Sequence, residues 1–577
     1  MAAEHGGGVR GAILSRRSPQ FEGRFGRLFR ALPAADFPLE ALEALAAEGA
    51  MSAEPETTAD GKKPAAAVET DEKFQDAEEN SGVDAGYTYF GQFIDHDITF
   101  DPASSLVKVN DPDGLTDFRT PRLDLDCLYG RGPDDQPYMF TSDGGRFLLG
   151  DALTEDGSRS HSRDLARHHW SEEGTHQAAP GATTQKAFAR ALIGDKRNDE
   201  NVIVSQLQGA MLQFHNRIVD DRKTNFADTQ REVRWTYQYV VLNDYLPRIV
   251  GKDLVHAILP HLAKKSSIFD DKPKLRFYKF RENLFIPIEF STAAYRFGHS
   301  MVRPIYRLNT KLHGGEDPNK ATKEEKESGL AGRFFIFAGV GLRGLNGFRE
   351  FPRQWAIDWS LFFDINGSGK RGGPQRVQPA YKIDTSLVNP LAFLPEFSQE
   401  AKQPLTLETL RPPAKKGAIA NLAERNLKRG LFMSLPSGQD IARAMGETAL
   451  TDDELRVGKA TFDDAIKASN PRLVDIAGGK FANVFADNAP LWFYVLAEAL
   501  EKWRKQVVAG KLEGDAADRV PVTLGAVGGR LVAETLIGLL IGDSHSFLSQ
   551  APNWTPRIPK QGDTHTVGDV IKYALKL

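Results

Sequence analysis

A chain of 577 residues is long enough for one large domain with insertions or for several, and its 41% hydrophobic and 26% charged content is that of a soluble protein with a sizeable core. With 73 basic and 77 acidic residues the formal net charge is −4, which speaks against nucleic acid or an acidic membrane surface as partners. A single cysteine, Cys127, excludes an intramolecular disulfide framework and any cysteine-rich metal site, and favours a reducing compartment.

The opening MAAEHGGGVRGAILSRR has no continuous apolar stretch, so no conventional export signal is expected. Apolar residues at helical spacing in FGRLFRALPAADFPLEALEALAAEG predict a helical arm within residues 1–50. Residues 51–78, with SAEPETTADGKKPAAAVET, read as a flexible linker, and 79–577 as the main folded domain. The polar stretch 154–186 holds His161, His168, His169 and His176, but an irregular loop does not fix ligand geometry, so no metal is assigned there. Between 201 and 251 the periodicity predicts two consecutive long helices. Further helices are expected near 286–302, 415–430, 438–446, 452–469, 488–508 and 524–541, with one short strand at 333–339. Residues 522–542 are the most apolar segment, yet Arg530, Glu534 and several glycines make a buried helix the expectation rather than a membrane span. GAVGGR at 525–530 lacks the strand-turn-helix setting of a nucleotide loop, and His215 and His545 are read as structural. The predicted fold is mainly α with very little β structure.

The chemistry concentrates in short motifs. In GQFIDHDITF, Asp95, His96 and Asp97 are consecutive; on a helix their side chains diverge by about 100° each, so they address three different neighbours. Alone, the triplet reads as a solvated surface turn. GDKRNDEN places Arg197 and Glu200 three apart, AAYRFGHSMVRP places His299 three after Arg296, and NLKRG places Asn426 and Arg429 three apart.

Together and in this order these motifs resemble the peroxidase–cyclooxygenase superfamily, the animal-type haem peroxidases that include myeloperoxidase and lactoperoxidase. LDCLYG at 125–130, FHNRIV with the following NDYLPRIVG, and LPSGQDIARAMG at 435–446, which looks like bacterial branches, extend the likeness over about residues 80–550. The resemblance implies haem b and hydrogen-peroxide-dependent oxidation of a small electron donor (halide, thiocyanate or aromatic). It makes His299 the axial iron ligand, Asn426 the acceptor of that ring's N–H, and Arg296 and Arg429 the partners of the haem propionates. His96, Gln92 and Arg197 match the peroxide pocket, with His96 as acid–base group. Asp95 and Glu200 match carboxylates that form ester bonds to haem in mammalian members. A methionine sulfonium link is excluded because Asn201 stands in its place. Asp97 is implied in a calcium site with Thr120, the carbonyl of Arg122, Asp124 and Asp126, the last replacing a serine. Two alternatives belong to the same scaffold. A fatty-acid dioxygenase needs a tyrosine that forms a radical, found in cyclooxygenases three residues before the proximal histidine, whereas here Tyr295 lies four before it. A non-catalytic adhesion relative has no chemical reason to keep the pocket residues together.

Overall fold

The long periodicities become helices because their apolar faces meet one continuous core. The computed structural model describes residues 23–53, 76–101, 105–111, 114–153, 161–170, 188–280, 283–309, 333–337, 344–367, 376–398 and 414–577. Its principal helices are α1 (Leu39–Ala46), α2 (Ala85–Ile98), α3 (Val202–Arg222), α4 (Phe226–Val240), α5 (Leu422–Phe432), α6 (Gly438–Met445), α7 (Leu491–Gly510), α8 (Ala526–Gly542) and α9 (Val567–Leu575). The described strands are short. Gly23–Gly26 runs between Thr116–Asp117, antiparallel, and Ile286–Pro287, parallel. The expected strand near 333 pairs as Arg333–Phe335 with Ile305–Arg307. The fold is mainly α, as predicted.

Local chemistry sets the boundaries. Asn201 starts α3 by accepting from the N–H groups of Ile203 (3.1 Å) and Val204 (2.9 Å), and Asn225 starts α4 through Asp228. After α4 the helix widens into a π-turn, Val241–Tyr245, before Leu246–Val250. Pro247 lies just beyond; it has no N–H to give the carbonyl one turn back, and the wider turn absorbs that loss.

Three expected helices are corrected. The 286–302 segment is a π-turn, Glu289–Ala293, then a 3-10 turn, Ala294–His299. The 415–430 helix begins only at Leu422, where Asn421 caps it. Of 452–469 only Phe462–Lys467 is helical, because the backbone around 455–457 bonds across to another segment: Val457 donates to Pro471 (2.9 Å) and Leu455 accepts from Leu473 (2.8 Å). The described part of the N-terminal arm belongs to the common core: Leu42 and Leu45 are fully buried, and Glu289 Oε1 accepts from the N–H groups of Leu28 and Phe29 at 3.0 Å each. Of the predicted linker, residues 54–75 lie outside the described residues, as does His176.

No described helix is long and apolar enough to cross a membrane. The two acids beside the apolar segment 522–542 serve the fold. Glu498 accepts from Val527 (3.0 Å) and Gly528 (3.1 Å), so a carboxylate already fills the N-terminus of α8, and Glu534 accepts from three successive N–H groups, Arg276 to Tyr278. His215 is likewise structural, bonded to the Tyr129 hydroxyl (3.0 Å) and the Gly145 carbonyl (3.1 Å).

Helix α2 is held by several elements at once: it packs on α3, on the 3-10 turn Lys196–Asp199 and on Ala294–His299, and the last of these is backed by α7 and α8. Its close approach to the 362–363 segment depends on Gly86, where an added Cβ would stand 2.3 Å from the Phe363 ring and 2.7 Å from the Phe362 carbonyl oxygen. Gly86→Ala should therefore destabilise the fold by about 1–3 kcal/mol. Denaturant unfolding checks this; an unchanged midpoint would contradict the packing.

Candidate active site

The three consecutive residues of α2 address three neighbours, as the helical geometry requires. His96, 5% exposed, places Nδ1 2.7 Å from Asn198 Oδ1; Asn198 donates its Nδ2 to Gln208 Oε1 (2.9 Å), so its oxygen faces the ring. The proton therefore sits on Nδ1 and Nε2 is left as a base. Burial, reinforced by the Arg197 guanidinium, pushes the imidazole down to about 4 and keeps it neutral near pH 7. Asp95 Oδ1 accepts from the Thr99 hydroxyl at 3.0 Å.

Arg197 rises from the 3-10 turn whose capping residue, Asp195, holds it. Nε lies 3.1 Å and Nη2 2.8 Å from Asp195 oxygens, and Nη2 also donates to the carbonyls of His96 (3.1 Å) and Thr99 (2.6 Å). The guanidinium thus grips the last turn of the helix that carries His96, where helix carbonyls favour a cation. Gln92 donates Nε2 to Glu200 and accepts from Asn201 Nδ2 at 3.3 Å. Asn201 is accordingly both the cap of α3 and a support for Gln92. Burial, followed by the Glu396 carboxylate, pushes Glu200 up to about 8.

On the other side, His299 Nδ1 lies 2.8 Å from Asn426 Nδ2, while Asn426 Oδ1 accepts from Arg296 Nη1 at 2.9 Å. For Asn426 to accept the ring N–H, as expected, its amide would have to take the opposite orientation. With its oxygen committed to Arg296, the amide presents a donor to the ring, and the ring proton falls on Nε2. Arg296 also donates Nε to the Ser291 carbonyl (3.0 Å), so two of its donors point into the protein rather than toward a propionate. Arg429 pairs with Asp101 at 3.3 Å. Burial and the nearby Arg429 push Arg296 down to about 10, and burial with Arg296 pushes His299 down to about 3.

Gln92, Asp95, Arg197, Glu200, Arg296 and His299 all keep accessible surface. Arg197, Glu200, Arg296 and His299 nonetheless lie deep in the protein, so the surface they keep lines a deep recess. Gly298 adds to it: nothing lies within 4 Å of where its Cβ would stand. An imidazole ligand, flanking cations and open space beside the ligand fit a flat, anionic haem, provided Asn426 turns its amide.

The third residue, Asp97, is fully buried, and neither of its carboxylate oxygens has a hydrogen-bond partner. Oxygens of Asp97, Asp124 and Asp126 lie within 4.8 Å of one another, the only such group of three metal-ligating side chains among the described residues. Thr120 Oγ1 donates to Asp124 Oδ2 (2.8 Å), and Leu125 between the two acids takes a left-handed φ of 60°, which turns both carboxylates inward. Burial and the charge of Asp124 push Asp97 up to about 7. Three acids gathered around the unpartnered Asp97 are costly without a further counter-charge, and the donor set fits a hard divalent cation. The Arg122 side chain leaves this cluster, lying 3.9 Å from Asp543.

Four contributors escaped sequence reasoning: Asn198, Gln208, Asp195 and Arg119. Only Asp195 had a local signal, an acid two residues before Arg197 in a helix-capping position; the others act across long separations in the chain.

The helical fold packs the helix that carries His96 against the turn that carries His299. The animal haem peroxidase family profile matches residues 108–328. Rattus norvegicus thyroid peroxidase is 28% identical over 210 residues, covering 34% of this chain and 20% of that protein; a peroxidase-like protein of Margaritifera margaritifera is 26% identical over 323 residues, covering 48% and 38%. This chain thus spans about a fifth of the thyroid peroxidase. Peroxidase A of Dictyostelium discoideum superposes with a TM-score of 0.51 at 14% identity, covering 97% of this chain and 94% of that one, and shares its fold. Residues 108–328 of the chain are thus similar to the animal haem peroxidase family, and its helical fold is shared with Peroxidase A. These likenesses do not single out a bacterial branch.

Proposed function

We propose that this protein is a haem peroxidase that uses hydrogen peroxide to oxidise small electron donors: halide, thiocyanate or aromatic. The observation that carries this reading is His96, a neutral imidazole with Nδ1 satisfied by Asn198 and Arg197 at its side, on a helix that packs against the turn holding His299. Haem b, bound through His299 Nε2 with Arg429 and the remaining donor of Arg296 near its carboxylates, would supply the redox-active iron. For this Asn426 has to rotate its amide, giving up the Arg296 bond and accepting the Nδ1 proton.

His96 Nε2 then takes a proton from hydrogen peroxide and returns it to the departing oxygen. Among the described residues Arg197 Nη1 has no hydrogen-bond partner, so it is the donor available to stabilise charge on that oxygen, worth about 3–4 kcal/mol for a fixed donor of this kind. Gln92 orients the carboxyl of Glu200. Asp95 and Glu200 are the candidates for ester bonds to haem. Calcium is the proposed occupant of the Asp97, Thr120, Arg122, Asp124 and Asp126 cage, where it anchors the helix that carries His96.

Against the dioxygenase reading, the Tyr295 hydroxyl donates to Tyr245 at 3.2 Å and its ring stacks on Phe290. An optical spectrum tests the proposal. Protein incubated with haem should develop a Soret band that shifts on adding hydrogen peroxide and recovers with a donor. No band would leave a non-catalytic relative, and oxygen uptake with linoleate in the absence of peroxide would favour a dioxygenase. Extraction in acidified organic solvent decides the esters, since freely released haem excludes them.

A further inference from the structure

The cation cage and the peroxide pocket are joined by alternating charges. Arg119, next to the cage residue Thr120, places Nη1 3.4 Å from Asp126 Oδ1, an oxygen with no hydrogen-bond partner, while Nε lies 3.0 Å from Asp195 Oδ2 and Nη2 also donates to that oxygen. The same Oδ2 accepts from Arg197 Nη2 at 2.8 Å, so two guanidiniums share one carboxylate oxygen. Both cations also rest on one aromatic wall, with Arg119 5.7 Å and Arg197 4.7 Å from the centre of the Phe100 ring. Asp195, almost fully buried, has no other cation to turn to among the described residues. The chain of contacts Asp126, Arg119, Asp195, Arg197 ends on the His96 carbonyl.

We propose that Arg119 and Asp195 are positioning residues that report occupancy of the cation cage to the distal arginine: a divalent cation on Asp126 ends the Arg119–Asp126 contact, Arg119 then bears on Asp195 alone, and Asp195 loosens its hold on Arg197. This inference rests on the cage proposed for calcium. The electrostatic reason is competition. A cation bound to Asp126 neutralises the charge that attracts Arg119 Nη1 and repels the guanidinium, whose nearest remaining anion is Asp195. Drawn toward Arg119, Asp195 loosens its bonds to Nε and Nη2 of Arg197 and leaves the guanidinium held by the His96 and Thr99 carbonyls. Because coupling between sites is reciprocal, altering Arg197 must alter cation affinity, and must do so through Arg119.

Calorimetric titration of the full chain with Ca²⁺ tests this without reference to activity. Arg119→Met should raise Ca²⁺ affinity, because a competing cation has left Asp126. Arg197→Met should raise it as well, because Asp195 then draws Arg119 off Asp126. In the double variant the second effect should vanish, a departure from additivity of at least about twofold. Simple through-space repulsion of Ca²⁺ by Arg197 would persist in the Arg119→Met background, so additive effects overturn the relay, as does an Arg197→Met variant with wild-type affinity. Arg119→Lys keeps the charge but cannot span both acids; it should silence the effect of Arg197→Met equally and decides the matter if the methionine variant does not fold. Wild-type protein that binds no Ca²⁺ refutes the cage itself and the relay with it, whereas Ca²⁺ binding with additive substitutions refutes the relay alone.

Discussion

Replacing His96 by alanine should slow the reaction with hydrogen peroxide by at least about a hundredfold, the lower range for removal of a general acid–base group. The side chain is buried, and its Nε2 is the atom left as a proton acceptor once Nδ1–H donates to Asn198. Stopped-flow absorbance after mixing haem-loaded protein with peroxide measures it. A variant whose rate equals that of the wild type would remove His96 from the chemistry. The pH dependence has a definite sign. Because burial and Arg197 hold the ring down to about 4, the base stays unprotonated from neutral pH to well below 6, and the wild-type rate should remain level across that range. The rate should fall only as the proton loads near 4; a fall centred on the ordinary histidine value near 6.5 would mean that His96 faces water instead.

The second large effect concerns the cage. Saturating calcium at about a hundredfold above its dissociation constant adds about 2.7 kcal/mol to the folded state, and a chelator should remove it as a lowered unfolding temperature. In Asp97→Asn that calcium response should be lost, since the substitution removes the fully buried carboxylate that no other group satisfies. The metal-free variant should be more stable than the metal-free wild type. In the wild type Asp97 is raised to about 7, so near neutral pH the fold tolerates its charge poorly, and the amide carries none. Sign follows from linkage: a carboxyl raised in the fold takes up a proton that the unfolded chain does not, so its contribution to stability is present below the ordinary carboxyl value and is lost as pH rises through about 7. Calcium supplies the opposing charge. An unfolding temperature indifferent to calcium and chelator would refute the cage.

The elements legible in the sequence were those with local causes. Helices α3, α4, α7 and α8 follow from apolar spacing and caps such as Asn201, and the divergence of Asp95, His96 and Asp97 follows from helical rotation alone. The failures have a common origin. Residues 452–461 have helical spacing, but their backbone partners lie near 471–473, and long-range bonds overrode local preference. The turn carrying His299 is π and 3-10 rather than α, with a break at Ala293, because it is wedged between α2, α7 and α8. The role of Asp126 was legible only as a substitution for serine; its contact with Arg119 makes it part of a charge chain.

By itself the sequence determined which side chains are present and in what order, and hence the likeness to animal haem peroxidases, the helical architecture and the inventory of histidines, arginines and acids at the site. Only the tertiary structure decided how their hydrogen bonds are shared out. It gave the Asn426 oxygen to Arg296 instead of His299, divided Asp195 between Arg119 and Arg197, and brought Asp97 against Asp124 and Asp126 with its oxygens unsatisfied. The physical reason is that a buried donor or acceptor takes whichever partner the packing brings within about 3 Å, and here those partners come from segments far apart in the chain.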